Sequence, residues 1–184
     1  MSKLSNNRFF LAFIPEKMTL NKFNDIQCQL NINKGARLVP FENLHITLVF
    51  LGAVDKELLN FIAELSQDIY KLNLNLERLY LDKFIYWKRS KVAGIAASSV
   101  PKFLFDLHKY FTENLINYDK NIFDKVNNFN KIVPHVTLVR NAAQSPIFPA
   151  LLEPIEFSIS KIYLMQSNFT GNSVSYSKYN EWEL

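Results

Sequence analysis

Apolar residues along this chain keep two rhythms, one close to two residues and one close to 3.6. Residues 8–14 (RFFLAFI) are short, apolar and stopped by Pro15, which predicts a buried strand. Residues 44–51 (LHITLVFL) are β-branched and aromatic and end at Gly52, a second strand. Residues 74–87 and 92–97 predict two more, paired across the polar turn 88–91. Residues 133–140 (VPHVTLVR) form a strand entered through Pro134. Residues 154–165 alternate at Ile155, Phe157 and Ile159, then change phase at Ile162 and Leu164, which predicts a bulge. Thr170-Gly171-Asn172 reads as a turn, and residues 173–184 alternate again with Val174, Tyr176 and Trp182 on one face.

The longer rhythm marks three helices. Met18, Phe23, Ile26 and Leu30 recur over residues 16–31, with Gly35 as the stop signal. Asp55 is a candidate N-cap before Leu58, Ile62, Leu65 and Ile69. Leu104, Leu107, Phe111 and Leu115 form the stripe of a helix over residues 101–116, with His108 at its edge. The Asn- and Lys-rich residues 117–130 read as a loop with a short helical turn. Mixed elements, often joined by short turns, predict an α+β fold with antiparallel sheet and helices outside.

Composition narrows the function classes. The 184 residues can bury a sizeable core, and no linker divides them, so one domain is expected. With four glycines there is no glycine-rich phosphate loop. Cys28 is the one cysteine, so no internal disulfide forms. Residues 9–14 are too short to span a bilayer, and no apolar leader follows Met1; a soluble, cytoplasmic monomer is expected. The net charge of +4 permits an anionic substrate without demanding one. Its densest cluster is Lys88, Arg89 and Lys91 beside Tyr86 and Trp87. That cluster reads either as a single-stranded nucleic-acid contact or as a charged hairpin tip beside core aromatics.

Two of the three histidines open the same pattern. His45-Ile46-Thr47-Leu48 and His135-Val136-Thr137-Leu138 lie 90 positions apart, which suggests two similar lobes meeting at a central cleft. On a strand, residues i and i+2 share a face. Each copy therefore presents one imidazole and one hydroxyl together, with the aliphatic residues turned into the core. Two imidazoles near neutrality can serve as acid and base, and two hydroxyls can donate to phosphate oxygens. Arg140, five residues after His135, would face away on a regular strand; a bend would bring its guanidinium to a charged transition state. Metal catalysis is the competing reading, but no H-x-H, C-x-x-C or H-E-x-x-H accompanies the histidines, and no metal or cofactor is expected.

These residues resemble the 2H phosphoesterase superfamily, and within it the bacterial RNA 2′,3′-cyclic phosphodiesterases, also called 2′-5′ RNA ligases. The resemblance covers Arg8-Phe9-Phe10-Leu11-Ala12, Arg37-Leu38-Val39-Pro40, residues 42–48, Phe50-Leu51-Gly52, residues 134–138 with Arg140, and Leu164, Ser167, Gly171, Tyr176 and Trp182. It implies a bilobal fold with a pseudo-two-fold axis. It also implies metal-free hydrolysis of a terminal 2′,3′-cyclic phosphate on RNA to a 2′-phosphomonoester. By the same resemblance His45 is the acid, His135 the base, and Thr47, Thr137 and Arg140 bind the phosphate. A reversible 2′-5′ RNA ligase would use the same groups, and a non-catalytic RNA-binding module would keep the same groove.

Overall fold

The computed structural model describes residues 8–119, 132–170 and 173–184. Strand β1 (Arg8–Phe13) is followed by helix α1 (Lys17–Gln29), β2 (Arg37–Leu38), β3 (Ile46–Ala53) and helix α2 (Lys56–Gln67). Then come β4 (Leu79–Leu81), β5 (Lys83–Trp87), β6 (Val92–Ala96), helix α3 (Lys102–Tyr118), β7 (His135–Arg140), β8 (Ile155–Phe157), β9 (Lys161–Thr170) and β10 (Ser173–Glu183). The α+β class and the antiparallel pairing agree with the sequence pattern. Most of the predicted 117–130 loop, and the centre of the 170–172 turn, lie outside the described residues.

Eight strands form one sheet in the order β10-β9-β1-β3-β7-β6-β5, with β2 also beside β7. The two halves suggested by the repeat meet at its middle. There β3 and β7 touch through one antiparallel pair, Ile46 and Val136. All three helices turn their apolar residues to one side of this sheet. Phe23, Ile26, Leu58, Ile62, Leu104, Leu107 and Phe111 join Phe9, Leu11, Phe13, Ile46, Leu48, Val136 and Leu138 in one buried cluster. The other side carries a small cluster, Phe10, Ala12 and Met165, under Tyr163 and Tyr176. That open side is where the polar residues of β3 and β7 emerge.

Several local expectations change. Met18 is 77% exposed, because it lies about 140° around α1 from Phe23; Thr19 and Gln27 occupy the buried stripe instead. Gly35, with φ +90°, serves a turn after the helix has already ended at Gln29. Residues 74–78 are not strand. The phase change between Ile159 and Ile162 is no bulge but a boundary: β8 pairs with β4 in a separate two-stranded sheet, while β9 pairs with β1 and β10. A true irregularity falls between Lys178 and Asn180 in β10. It reverses the facing, so Tyr176 looks onto the open side while Trp182 packs on the main core. The Asp55 N-cap is present, its carboxylate accepting from the Leu58 N–H at 2.8 Å.

Candidate active site

The seam between the two halves decides how the repeated motifs meet. With Ile46 opposite Val136, extending the antiparallel register one residue each way sets His45 across from Thr137 and Thr47 across from His135. The four polar side chains thus leave one patch of the open face, and all four are half-buried. The buried Ile46, Leu48, Val136 and Leu138 anchor that patch from behind.

Each imidazole is oriented in the same way. His45 Nδ1–H donates to the Asn43 carbonyl at 2.7 Å, and His135 Nδ1–H donates to the Val133 carbonyl at 2.7 Å. A carbonyl can only accept, so Nδ1 carries the proton and Nε2 is left for chemistry. His45 Nε2 accepts from the Thr47 hydroxyl at 3.1 Å. Phe10 lies 4.8 Å and Tyr176 5.1 Å from the His45 ring, centroid to centroid, and Trp87 sets its edge against His135 at 4.6 Å.

These aromatic walls keep water away, and burial pushes the His45 pKa down to about 4, with Arg140 and His135 adding smaller repulsions. Burial lowers the His135 pKa as well, again helped by Arg140. Without substrate both imidazoles therefore favour the neutral form near pH 7.

Arg140 reaches the site through the bend that the sequence required. Across β6 and β7, Gly94 pairs with Thr137 but Ala93 pairs with Val139, so Leu138 is an extra residue in β7. Leu138 and Val139 are both buried, and Arg140 returns to the face of His135 and Thr137. Gly94 permits this close approach: a Cβ there would stand 2.1 Å from the Val136 carbonyl oxygen. The first half repeats the device. Thr47 pairs with Ala12 but Val49 with Leu11, so Leu48 is extra and Phe50 swings onto the open face. Phe50 is thus the counterpart of Arg140, five residues after its own histidine.

Two residues that the motif did not single out hold this geometry. Asn43 is buried; its amide Nδ2 donates to the Val174 carbonyl at 2.9 Å and its Oδ1 accepts from the Tyr176 N–H at 3.2 Å. It docks β10, and with it Tyr176, against His45. Gln27, buried on α1, donates from Nε2 to the carbonyls of Val39 and Leu138 at 2.9 and 3.0 Å. It clamps the bulge that aims Arg140. An amide falling on the apolar stripe of its helix was the available signal.

Beside the histidines lies a cavity of about 500 Å³, lined among others by Arg8, Arg37, Phe50, Arg140, Phe169 and Tyr176. Lys88, Arg89 and Lys91 are exposed at the β5–β6 tip, whereas Trp87 belongs to the His135 wall. His108 is buried on α3, its Nδ1 without a hydrogen-bond partner among the described residues, and burial lowers its pKa. Cys28 is an exposed thiol on α1. Among the described residues no group of three or more His, Cys, Asp or Glu side chains is arranged to hold a metal ion, and no helix is long and apolar enough to cross a membrane.

Comparison with known proteins places this arrangement. The sequence model of the LigT-like phosphoesterases matches residues 14–93. The RNA 2′,3′-cyclic phosphodiesterase of Methanocaldococcus jannaschii is 31% identical, over 95% of this chain and 99% of its own. The RNA 2′,3′-cyclic phosphodiesterase of Escherichia coli is 26% identical, over 82% of this chain and 81% of its own. Among solved structures, the protein TT0787 of Thermus thermophilus superposes with a TM-score of 0.79 at 21% identity, over 96% of this chain and 97% of its own. That last likeness is one of fold.

Proposed function

The chain belongs to the LigT-like phosphoesterase family, and on that premise we propose that it is an RNA 2′,3′-cyclic phosphodiesterase working by metal-free acid–base catalysis between His45 and His135. The observation that carries this reading is the paired presentation of the two motifs. Two imidazoles, both with Nδ1 tied to a backbone carbonyl, leave adjacent strands on one face together with two threonine hydroxyls and a guanidinium.

The chemistry needs little else. His135 Nε2 takes a proton from water, whose oxygen attacks phosphorus. The P–O3′ bond breaks, and His45 Nε2–H protonates the departing 3′ oxygen. The product keeps its phosphate on the 2′ oxygen and regains a 3′ hydroxyl. Thr47 and Thr137 donate to non-bridging oxygens, and Arg140 offsets the charge that grows on the phosphorane-like transition state. The division into acid and base follows the family resemblance, since both rings tie Nδ1 to a backbone carbonyl and leave Nε2 for the chemistry.

The neutral state of both rings in the free protein fits this cycle. An arriving phosphodiester brings the negative charge that the buried imidazoles lack, which raises their pKa and favours the one proton that the acid must carry. Substrate binding and proton uptake are therefore coupled.

The direct test is an oligonucleotide ending in a 2′,3′-cyclic phosphate, incubated with the protein in EDTA and followed by phosphorus NMR. A 2′-phosphomonoester is expected, at an undiminished rate. Loss of turnover with chelator, or a 3′-phosphomonoester product, would contradict the mechanism.

A further inference from the structure

Building on that reading, we infer that Ser167 reads the base of the terminal nucleotide: its hydroxyl hydrogen-bonds the polar edge of a nucleobase held against the aromatic lining of the cavity. Ser167 lies on β9 and lines the cavity beside the histidines, yet it is only 5% exposed. Among the described residues its hydroxyl makes no hydrogen bond. The other buried hydroxyls and amides among the described residues are committed within the fold. Thr19, Gln27, Asn43, Ser66 and Thr112 each donate to a backbone carbonyl. Buried polar groups are as a rule bonded, because an unmade hydrogen bond costs the full desolvation of the group. The Ser167 hydroxyl is not sealed off as the His108 Nδ1 is, so its partner comes from the cavity.

The sheet register fixes where that partner lies. Ser167 pairs directly with Tyr176 across β9 and β10, and with Arg8 across β9 and β1. Residues directly opposite stand about 5 Å apart at Cβ, so Ser167 sits between these two on the open face. The Tyr176 ring in turn lies 5.1 Å from the His45 ring. One aromatic side chain therefore separates the hydroxyl from the catalytic imidazole. A phosphate held by Thr47, Thr137 and Arg140 does not span that gap, whereas the nucleoside attached to it does.

The surroundings suit a base rather than a sugar. Phe169 is two residues from Ser167 on the same face, and Phe50 is directly opposite Phe10. Both line the cavity and both expose much of their rings. The Arg8 guanidinium lies over the Phe169 ring at 5.6 Å from the centroid, which steadies that wall. A volume of about 500 Å³ accommodates one nucleoside. Aromatic surface stacks any base, and one placed hydroxyl, donor and acceptor in fixed position, tells their edges apart.

The experiment compares the 2′,3′-cyclic phosphates of adenosine, guanosine, cytidine and uridine with that of methyl riboside, which has no base. In the wild type the best nucleoside should exceed methyl riboside in kcat/KM by ~10-fold or more, mostly through KM, the scale of stacking one base. The four nucleosides should also differ among themselves. In Ser167→Ala the best nucleoside should lose about 3- to 10-fold of its advantage over methyl riboside, the scale of one hydrogen bond, and the four should converge. The variant should melt no lower than the wild type, because no hydrogen bond within the fold is removed; a structural role would lower the melting temperature. Equal kcat/KM for all the compounds in the wild type would overturn the base site while leaving the phosphodiesterase reading intact, and that comparison depends on no variant folding. An undiminished preference in Ser167→Ala would mean that the hydroxyl bonds only water, and would overturn the inference. Equal losses on every compound, with a lowered melting temperature, would do the same. No hydrolysis of any compound by the wild type would overturn the phosphodiesterase reading and the inference with it.

Discussion

His45 is kept neutral by its surroundings, which makes delivery of the catalytic proton depend on what occupies the cleft. Phe10 and Tyr176 crowd its ring, and Arg140 repels any added proton. The sign of the consequence is fixed. A histidine whose folded pKa is depressed binds fewer protons than the unfolded chain does between the two pKa values. Folding stability should therefore fall as pH drops from 6.5 toward 4, the window set by His45, with His135 adding in the same direction. Anion binding opposes this shift. Titration of the two imidazoles by NMR should give pKa values below 6.5 in the free protein, and both should rise when inorganic phosphate is added. Values at or above 6.5 without phosphate, or no response to it, would contradict this account of proton supply.

At the scale of elements, the facing of β3 and β7 was legible in the sequence only as far as the first bulge. Period-two alternation correctly grouped His45 with Thr47 and His135 with Thr137. It could not give the turn-over at Leu138, because a bulge arises from pairing with the neighbouring strand, here at Gly94 of β6. The same limit explains Tyr176 and Trp182, which share a parity but not a face. It also explains why residues 154–165 read as one bulged segment, when Ile155–Phe157 pairs with a separate small sheet. Gln27 ties this level to the chemistry. Gln27→Met keeps the volume but leaves the Val39 carbonyl without that donor. It should cost ~1–3 kcal/mol of stability, read by urea titration, the usual scale for an unsatisfied buried acceptor. Because the clamp aims Arg140, kcat should also fall by roughly 10-fold, about 1.4 kcal/mol in the barrier. In an Arg140→Ala background the same change should cost little further activity, since the two act through one contact. Full additivity of the two losses would separate Gln27 from the site.

Across the whole molecule, one sheet supplies both halves of the site. The helices cover its far side, and the seam at Ile46 and Val136 puts the two motifs in contact. The fold class and the four motif residues could be read from the sequence, since both depend on local periodicity. The docking of β10 by Asn43, the aromatic walls and the arginine-lined cavity depend on residues distant in the chain, which periodicity does not join. The halves are similar but not equivalent: the position five residues after each histidine is Phe50 in one and Arg140 in the other. The central claim is that two histidines divide the proton transfers at a single phosphodiester. It is tested most directly by the pH dependence of kcat/KM on a cyclic-phosphate-ended oligonucleotide for the wild type, His45→Ala and His135→Ala. The wild type should give a bell-shaped profile. Each single variant should lose at least ~100-fold, the scale of one general acid or base, together with one limb of the bell. Near-normal turnover in either variant, or a wild-type profile flat between about pH 5 and 8, would contradict it.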